Sequence, residues 1–425
     1  MITRALGGDM ASRPPREAVK SQDTPPGRTR CLGPPLLDDA RVPAPLPTWH
    51  LLSGEYPPMA GGVADYSRLI ADALVRAGEQ VHVWAPGPSG VVTEDGVTVH
   101  RAPGRFSPGD LRTLSRELDA CPGSRRLLLQ YVPHALGLKA MNVPFCAWFA
   151  ARRKDERQVY FHEVVYPWSL HAPWRHHVLA ATTRVMLRLV AESADRSFVS
   201  IPTWADHLSA RAKQRTEWRP VPSNLPTEVS AVEVLRARAS LPEGPVVGHF
   251  GTYGSAIVGP LESVLVSVLR ADPRRQGLLL GRGSRAFRDA VASRRPEVAA
   301  RLQARDALAP SEAAAFLRAC DVLVQPYPDG VSTRRGSAMA GLGLGVPVVT
   351  NTGHLTEPLW RESLPVALVE GTAPSGLVDA TEHLLSQDEA RRALGEHAAR
   401  IYREHFALER TVEALLRKRP PGRSP

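Results

Sequence analysis

Asp329-Gly-Val-Ser-Thr-Arg-Arg-Gly-Ser-Ala-Met-Ala340, followed by Gly345-Val-Pro-Val-Val-Thr350, indicates a polar loop, a short helix and then a buried strand. The predicted helix begins near Arg335, so its free backbone N–H groups lie beside the guanidinium groups of Arg334 and Arg335. Amide donors at a helix start and planar guanidinium donors both suit phosphate oxygens. The stretch therefore predicts a diphosphate-binding loop at the carboxyl end of a strand, where parallel sheets bind their ligands.

The same succession of apolar strand, loop and helix continues on both sides of this stretch. In the first half, Val63, Tyr66, Ile70 and Leu74 recur at helical spacing directly after the Gly61-Gly62 loop. Strands are expected at 50–53, 81–84, 127–131, 159–161, 197–199, 246–250, 278–280, 322–325, 347–350 and 366–369, with a hairpin turn at Asp95-Gly96, a long helix over 174–193 and another helix from Pro260. Strands that alternate with helices predict parallel sheets covered on both faces, built twice.

A chain of 425 residues is too long for one compact core, and we expect two α/β domains. Residues 1–45 and 419–425 are expected to be disordered tails, because the first of them lacks any hydrophobic period. The first Rossmann-like domain is expected over 46–225, ending in a proline-rich linker, and the second over 226–400. A final helix is expected over 401–418.

Composition excludes several classes of function. The net charge of +10 suits an anionic ligand, an acidic lipid or nucleic acid about equally, but neither a zinc-finger spacing nor a basic motif with interleaved aromatics favours nucleic acid. Four widely spaced cysteines and the absence of a signal-peptide pattern argue against disulfides or a zinc site, and predict a cytoplasmic protein. No apolar run approaches the roughly 20 residues needed to span a bilayer, so any membrane contact is expected to be peripheral.

Gly61-Gly62 in the first loop, His162 after the strand at 159–161, and the stretch from Asp329 to Thr350 resemble the retaining glycosyltransferases of family 4. That family carries Glu-x7-Glu, then Ala-Met-Ala and a Gly-x-Pro-Val-Val strand, and here Asp329 and Ser337 stand at the two acidic positions. The resemblance covers about residues 48–410. It implies a GT-B fold, in which an acceptor domain and a nucleotide-sugar domain face each other across a cleft and the final helix crosses back to the first domain.

The sequence departs from the family pattern at two places. Family members usually have a glutamate at the Ser337 position, which binds the ribose hydroxyls, and an arginine and a lysine after the first strand of the second domain, which hold the diphosphate. The corresponding loop over 251–259 has no basic residue here. We expect Arg282, Arg334 and Arg335, on neighbouring strand-end loops, to supply the positive charge, since a guanidinium suits phosphate geometry.

The resemblance also implies roles for individual residues. His162 is expected to contact the transferred sugar and Asp329 to orient it, although a strand-end histidine bonded to the main chain and a plain Asp-Gly turn are the structural alternatives. Trp168 and Trp174 are expected to pack in the core rather than to stack on an acceptor sugar. The residues expected to bind the donor are Gly61, Gly62, Arg282, Ser332, Arg334, Arg335 and Ser337.

The expected reaction is transfer of a hexose-type unit from a nucleotide diphosphate sugar to a hydroxyl acceptor, with retention of configuration. The acceptor is a sugar, a lipid-linked glycan or a small molecule. No metal or resident cofactor is expected, because arginines and helix amides would stabilise the departing diphosphate. Two alternatives remain open: a nucleotide-sugar epimerase of the same fold, and a glycosyltransferase-like subunit that has lost catalysis and only binds a partner or a membrane surface.

Overall fold

A computed structural model describes residues 47–102 and 106–417, and these form two α/β domains, each built on its own sheet. The tails expected over 1–45 and 419–425 lie outside the described residues. Successive strand residues point to opposite faces, so each sheet feeds two cores. In the strand Arg125–Tyr131, Leu127 and Leu129 enter one core of the first sheet, while Leu128 enters the other. The second sheet is likewise covered on both faces.

The first sheet has eight strands in the order β3-β4-β2-β1-β5-β6-β7-β8. All neighbouring strands are parallel except β3 and β4, which form an antiparallel hairpin at the predicted Asp95-Gly96 turn. The strands are β1 (Thr48–Ser53), β2 (Val81–Pro86), β3 (Gly90–Glu94), β4 (Val97–Ala102), β5 (Arg125–Tyr131), β6 (Glu156–Phe161), β7 (Arg196–Val199) and β8 (Thr216–Trp218). The helices are α1 (Gly62–Arg76), α2 (Pro108–Ala120), α3 (Val143–Ala151), α4 (Trp174–Ser193) and α5 (Ala210–Lys213).

The second sheet has six strands, all parallel, in the order β11-β10-β9-β12-β13-β14. The strands are β9 (Val246–Phe250), β10 (Gln276–Leu280), β11 (Leu302–Arg305), β12 (Val322–Gln325), β13 (Val348–Asn351) and β14 (Ala367–Val369). The helices are α6 (Ala231–Ala239), α7 (Ser255–Ala271), α8 (Ser284–Arg294), α9 (Pro296–Ala299), α10 (Pro310–Arg318), α11 (Gly336–Gly343), α12 (Leu359–Glu362), α13 (Pro374–Ser386), α14 (Asp388–Ile401) and α15 (Leu408–Leu416).

Helix α7 corrects one sequence prediction. It begins at Ser255 rather than at Pro260, which lies inside the helix. Proline usually marks a first helical position because it has no N–H to donate to the preceding turn. Here the helix tolerates the missing bond because its buried face, which includes Leu261, Val264 and Leu265, packs against the second sheet.

Helix α15 returns the end of the chain to the first domain. Ala414 and Leu415 are buried in the core of the first sheet together with residues of β1 and α1. Arg196 on β7 donates from Nη1 to the carbonyl oxygen of Ala414 at 2.8 Å, and so holds the carboxyl end of the helix. The two domains are therefore joined both by the 220–226 segment and by this returning helix.

Two tryptophans expected in the core are exposed. Trp168, in the loop before α4, is 51% exposed, and Trp174, the first residue of α4, is 78% exposed. The helix itself has the predicted bounds, because its buried residues, which include Met186 and Val190, anchor it on the first sheet. The apolar residues at the start of this helix therefore lie on the protein surface rather than in the core.

Candidate functional site

A cleft of about 1400 Å³ lies between the two domains at the carboxyl ends of their parallel strands. It brings together residues that are far apart in the sequence, from the loops after β1, β6, β10 and β12. The predicted site residues that line it are Gly61, Gly62, His162, Arg282, Arg334, Arg335 and Ser337, whereas Asp329 and Ser332 are not among the described lining residues.

Gly61 and Gly62 start α1 at the edge of the cleft. Neither has a left-handed backbone, since φ of Gly61 is 176° and Gly62 is helical. At Gly61 a Cβ would lie 2.7 Å from Glu55 Oε2, whereas at Gly62 it would meet no described atom within 4 Å. Within the described residues no side chain caps this helix start. The glycine pair thus leaves backbone amides open to close approach by a ligand, rather than forming a strained turn.

The ring of His162, at the end of β6, is held by a side chain rather than by the main chain. Its Nε2 lies 2.8 Å from Gln130 Oε1, and its ring packs edge-on against Tyr66 with centroids 4.8 Å apart. Burial lowers the pKa of His162 to about 3, so the ring is neutral near pH 7. Because the amide oxygen of Gln130 accepts from Nε2–H, Nδ1 is left as an acceptor. A neutral ring of this tautomer suits a donating hydroxyl.

A second histidine, which the sequence did not single out, connects two carboxylates on the same wall. His134 Nδ1 lies 3.4 Å from Glu163 Oε2, and its Nε2 lies 3.7 Å from Glu55 Oε1. The hydrogen bond to Glu163 raises the pKa of His134, and the same contact lowers the pKa of Glu163. All three residues line the cleft, so this wall carries a chain of polar groups that can exchange hydrogen bonds with hydroxyls.

Asp329 faces the two arginines rather than the cleft. Arg334 Nη2 donates to Asp329 Oδ2, and Arg335 Nη2 donates to Oδ1, so both carboxylate oxygens are occupied. Burial alone would raise the pKa of Asp329, but the positive charges of Arg335 and Arg334 outweigh burial and lower it. The expected sugar-orienting role is therefore not the one that the geometry supports. Asp329 instead fixes the two guanidinium groups.

Aromatic rings support the same guanidinium groups. Arg335 lies over the ring of Tyr327, 4.6 Å from its centroid, and Arg334 lies over Trp204 at 6.0 Å. Tyr327 Oη in turn lies 2.8 Å from Ser337 Oγ at the start of α11. Guanidinium groups held in this way lose little conformational freedom when they bind an anion.

Thr333 anchors this loop to both domains. Its N–H donates to Glu357 Oε1 at 2.9 Å in the second domain, while its Oγ1 donates to the Ser200 carbonyl at 2.7 Å in the first. Val221 N–H also donates to the carbonyl oxygen of Thr333 at 2.9 Å. Its neighbour Ser332 is fully buried, and Ser332 Oγ finds no hydrogen-bond partner among the described residues. Ser332, expected to bind donor, instead lies below the surface of the cleft.

Two buried acceptors were missed by the sequence analysis. His249 Nδ1 donates to the Val324 carbonyl at 2.8 Å, and Gln325 Nε2 donates to the Phe250 carbonyl at 3.0 Å. In the part of the chain that the structure describes, His249 Nε2 and Gln325 Oε1 have no partner. Burial lowers the pKa of His249 to about 4, so Nε2 is an unprotonated acceptor. The sequence signal was available, since each polar residue stands at the carboxyl end of an apolar strand.

Arg282 follows β10 and lines the cleft, as expected. The preceding Gly281 has φ of 102°, and a Cβ there would lie 2.3 Å from the carbonyl oxygen of Gly251. The loop without basic residues and the loop that carries Arg282 therefore touch, which only glycine permits. Across the cleft, burial raises the pKa of Asp65 on α1, and the charge of Arg282 partly opposes that shift.

Within residues 47–102 and 106–417, no group of three His, Cys, Asp or Glu side chains is arranged to hold a metal ion. Over the same ranges, none of the helices combines the length and the apolar character needed to cross a bilayer.

Comparison with known proteins agrees with this architecture. Residues 61–224 match the model of the glycosyl transferase 4-like domain. No curated protein sequence gives a significant match. Among solved structures, sucrose-phosphate synthase from Thermosynechococcus elongatus has a TM-score of 0.64 at 18% identity over 87% of this chain and 97% of its own. The lipopolysaccharide glycosyltransferase WaaG has a TM-score of 0.62 at 14% identity, over 87% and 99%.

A third similar structure is Anabaena HepE in complex with UDP and glucose, with a TM-score of 0.60 at 16% identity over 87% of this chain and 98% of its own. Identities this low show the fold, which is GT-B. The fold extends across both domains, while the family model matches the first. The chain accordingly has the GT-B fold, and its residues 61–224 match the glycosyl transferase 4-like domain.

Proposed function

We propose that the protein transfers a sugar from a nucleotide diphosphate sugar to a hydroxyl acceptor with retention of anomeric configuration, without a metal ion. The observation that carries the proposal is the placement of Arg334 and Arg335 in the same cleft as Gly62 and His162. Guanidinium groups on one wall and polar groups on the other bracket a space large enough for a nucleotide and a sugar.

The second-domain wall suits the nucleotide diphosphate. Arg334, Arg335 and Arg282 can donate to the phosphate oxygens, and the start of α11 adds backbone amides. His249 Nε2 and Gln325 Oε1 are acceptors without a donor among the described residues. We assign these two acceptors to the hydroxyl groups of the nucleoside, which the glutamate of the family pattern would otherwise bind. The UDP in the HepE structure is the kind of ligand that this wall would hold.

The first-domain wall suits the transferred sugar and the acceptor. His162 would accept a hydrogen bond from a sugar hydroxyl, and the α1 amides at Gly62 leave room for close approach. In the reaction, the bond between the anomeric carbon and the departing phosphate oxygen breaks, while the acceptor oxygen bonds to that carbon on the same face. The acceptor proton passes to the departing phosphate oxygen. The diphosphate thereby acts as the base, so no protein carboxylate is required.

Charge stabilisation is the main contribution of the protein to this reaction. Departure of the diphosphate concentrates negative charge beside Arg334 and Arg335, which are fixed in advance by Asp329 and by aromatic rings. Donors that are already oriented cost little reorganisation when charge develops, and such stabilisation usually accounts for most of an enzyme's rate enhancement. The formal charge of the Asp329, Arg334 and Arg335 group is +1, which leaves it attractive to an anion.

Calorimetric titration tests the donor class. The protein, in buffer with a chelator, is titrated with UDP, GDP, ADP, TDP and the corresponding nucleotide sugars. We expect selective binding of one nucleoside diphosphate, with the chelator making no difference. Absence of binding to every nucleoside diphosphate would contradict the proposal.

Product analysis then tests the reaction. NMR of the product from the donor that binds, with a panel of hydroxyl acceptors, is expected to show the anomeric configuration of the donor. Incubation of the same donor without acceptor distinguishes the alternative of an epimerase, which would change the sugar itself. An inverted product would refute the retaining assignment and leave the transferase intact.

A further inference from the structure

The loop at 164–173 and the outer face of α4 form an apolar surface that does not belong to the cleft. We call it the α4 surface, and it includes Trp168, Leu170, Trp174, Val178 and Val185. Leu170 is 84% exposed and Trp174 is 78% exposed, whereas large apolar side chains on most of the chain are buried. Isolated exposed apolar residues need no explanation, but a contiguous set that includes two tryptophans marks an interaction surface.

Helical geometry aligns the exposed residues. Trp174, Val178 and Val185 follow one another at spacings of four and seven residues, so they share one face of α4. From the first to the last of them the stripe runs roughly 16 Å along the helix axis. The opposite face, which includes Met186 and Val190, is buried against the first sheet. The outward face is thus a second apolar stripe on a helix whose packing is already satisfied.

Charge on this surface is mainly positive. From Val164 to Ala191 the sequence contains Arg175, Arg184 and Arg188 and three histidines, but no aspartate or glutamate. The first acidic residue after them, Glu192 in the last turn of α4, accepts a hydrogen bond from Ser209 Oγ. Arg175 and Arg188 are exposed beside the apolar stripe. Arg184 lies 5.5 Å from the Trp168 ring centroid and donates to the Tyr166 carbonyl at 3.2 Å, so it supports the exposed indole.

The rest of the surface offers a contrast. On α6, Val232 and Leu235 are 62% and 68% exposed, but Glu233 lies between them and the helix carries both charge signs. A stripe of tryptophan and aliphatic residues flanked mainly by cations is typical of segments that lie in the boundary between lipid headgroups and acyl chains. A protein partner would equally accept the apolar residues, but the net positive charge of the flanks is complementary to an anionic bilayer.

We infer that the α4 surface docks on an anionic phospholipid bilayer. Trp168, Leu170 and Trp174 would enter the headgroup boundary, and Arg175 and Arg188 would lie at the lipid phosphates. Glu163 lines the cleft, only five residues before Trp168. Docking would therefore hold the acceptor wall near the membrane, where a lipid-borne hydroxyl acceptor could enter. That last step rests on the proposed function, whereas docking itself does not.

Vesicle flotation tests the inference with the full chain. Phosphatidylcholine vesicles are compared with vesicles that also contain about one third phosphatidylglycerol, at low and high salt. We expect binding to the mixed vesicles alone, weakened by salt. Trp168→Ser plus Trp174→Ser should lower the partition coefficient by more than about tenfold, because two interfacial aromatic side chains no longer enter the boundary. Arg175→Gln plus Arg188→Gln should lower it about fivefold for each arginine.

Matched controls separate docking from loss of fold. Val232→Ser plus Leu235→Ser removes exposed apolar side chains from α6 and should leave partition unchanged. Thermal midpoints and nucleoside diphosphate titration report whether each variant is folded, and this readout also stands if transfer activity is never found. Equal binding of wild type and the double tryptophan variant would overturn the inference. So would self-association that the tryptophan variant abolishes in sedimentation without vesicles, since the occupant would then be a second copy.

Discussion

The two walls of the cleft differ in chemistry. The first-domain wall presents a neutral histidine, the linked Glu163, His134 and Glu55, and a glycine helix start. The second-domain wall presents Arg334 and Arg335 together with the buried acceptors of His249 and Gln325. One wall therefore suits hydroxyl groups and the other suits an anion with a polar nucleoside. The side chains of the two walls thus agree with the expectation for a GT-B cleft, in which the acceptor lies on the first domain and the nucleotide sugar on the second.

Loss of the two arginines should give the largest effect. With Arg334→Ala plus Arg335→Ala, we expect transfer to fall by about three orders of magnitude in kcat/KM, because the charge on the departing diphosphate is no longer stabilised. Affinity for both the nucleoside diphosphate and inorganic pyrophosphate should fall with it. Steady-state kinetics and calorimetry measure the two effects.

A matched control uses other arginines of the same domain. Arg270 and Arg294 are exposed and ion-paired with Glu297 and Glu262 on the outer surface. Arg270→Ala plus Arg294→Ala should leave kcat/KM within about twofold of wild type, as expected for surface pairs. If this control lost as much activity as the cleft variant, the assignment of the diphosphate to the second-domain wall would be wrong.

His162→Ala changes the first-domain wall, and it should lower kcat without weakening the binding of the free nucleoside diphosphate. We expect kcat to fall by about a hundredfold, because a desolvated hydrogen bond to the transferred sugar is lost. Affinity for the free nucleoside diphosphate should stay the same, since the diphosphate lies on the opposite wall. Tyr66→Phe is the control, because it keeps the ring that packs on His162 and removes only a hydroxyl that faces Tyr160. Weaker diphosphate binding in His162→Ala would remove the distinction between the walls.

The sequence predicted most of the architecture and part of the site. Strand positions and the bounds of α4 followed from apolar runs and periodicity, because burial on both faces leaves few alternatives. The family resemblance implied His162, and Arg282 was predicted because residues after parallel strands converge at one sheet edge. Pro260 was misassigned because packing of α7 outweighed one missing hydrogen bond.

The remaining site could not be predicted for reasons of geometry. Side-chain direction near a strand end alternates with the pleat, so a small shift of register decides whether His249 faces the cleft or the core. The pairing of Asp329 with both arginines depends on the conformation of a loop that Thr333 anchors to two domains. The spacing of residues along the chain encodes neither the direction of the His249 side chain nor the pairing of Asp329 with the two arginines.

Asp329→Asn tests whether this residue positions arginines or contacts sugar. Aromatic rings also hold Arg334 and Arg335, so we expect them to stay in place and the lost negative charge to dominate. The free nucleoside diphosphate should bind about tenfold tighter, and kcat should fall because that product leaves more slowly. Calorimetry with the free diphosphate is decisive. A carboxylate that only contacts the sugar would leave diphosphate affinity unchanged and weaken the nucleotide sugar instead.

His249→Asn probes the nucleoside side of the second wall. Asparagine can keep a donor toward the Val324 carbonyl while Nε2 is lost. We expect about fivefold weaker binding of the nucleoside diphosphate, the value of one hydrogen bond, and unchanged binding of inorganic pyrophosphate. Parallel calorimetric titrations with both ligands compare this variant with the arginine pair, which should weaken both. Equal loss for the two ligands would place His249 at the phosphates.

Glu163→Gln should give the smallest effect, and its sign depends on pH. The raised pKa of His134 contributes stability that is present below the ordinary histidine pKa and is lost as pH rises through the folded-state value. The lowered pKa of Glu163 contributes stability above the ordinary glutamate pKa, lost as pH falls. Both contributions overlap near pH 6. Because both groups are partly exposed, we expect the variant to lower the thermal midpoint near pH 6 by about one or two degrees, and by less near pH 8.

His134→Gln should reproduce this pH profile, since it removes the same pair. Glu163 Oε1 also lies 3.9 Å from Arg334 Nη1. A difference between wild type and Glu163→Gln that grew toward pH 8 would show that Arg334, rather than His134, is the main partner of Glu163, and the first wall would then lack the His134 link that sets it apart from the second.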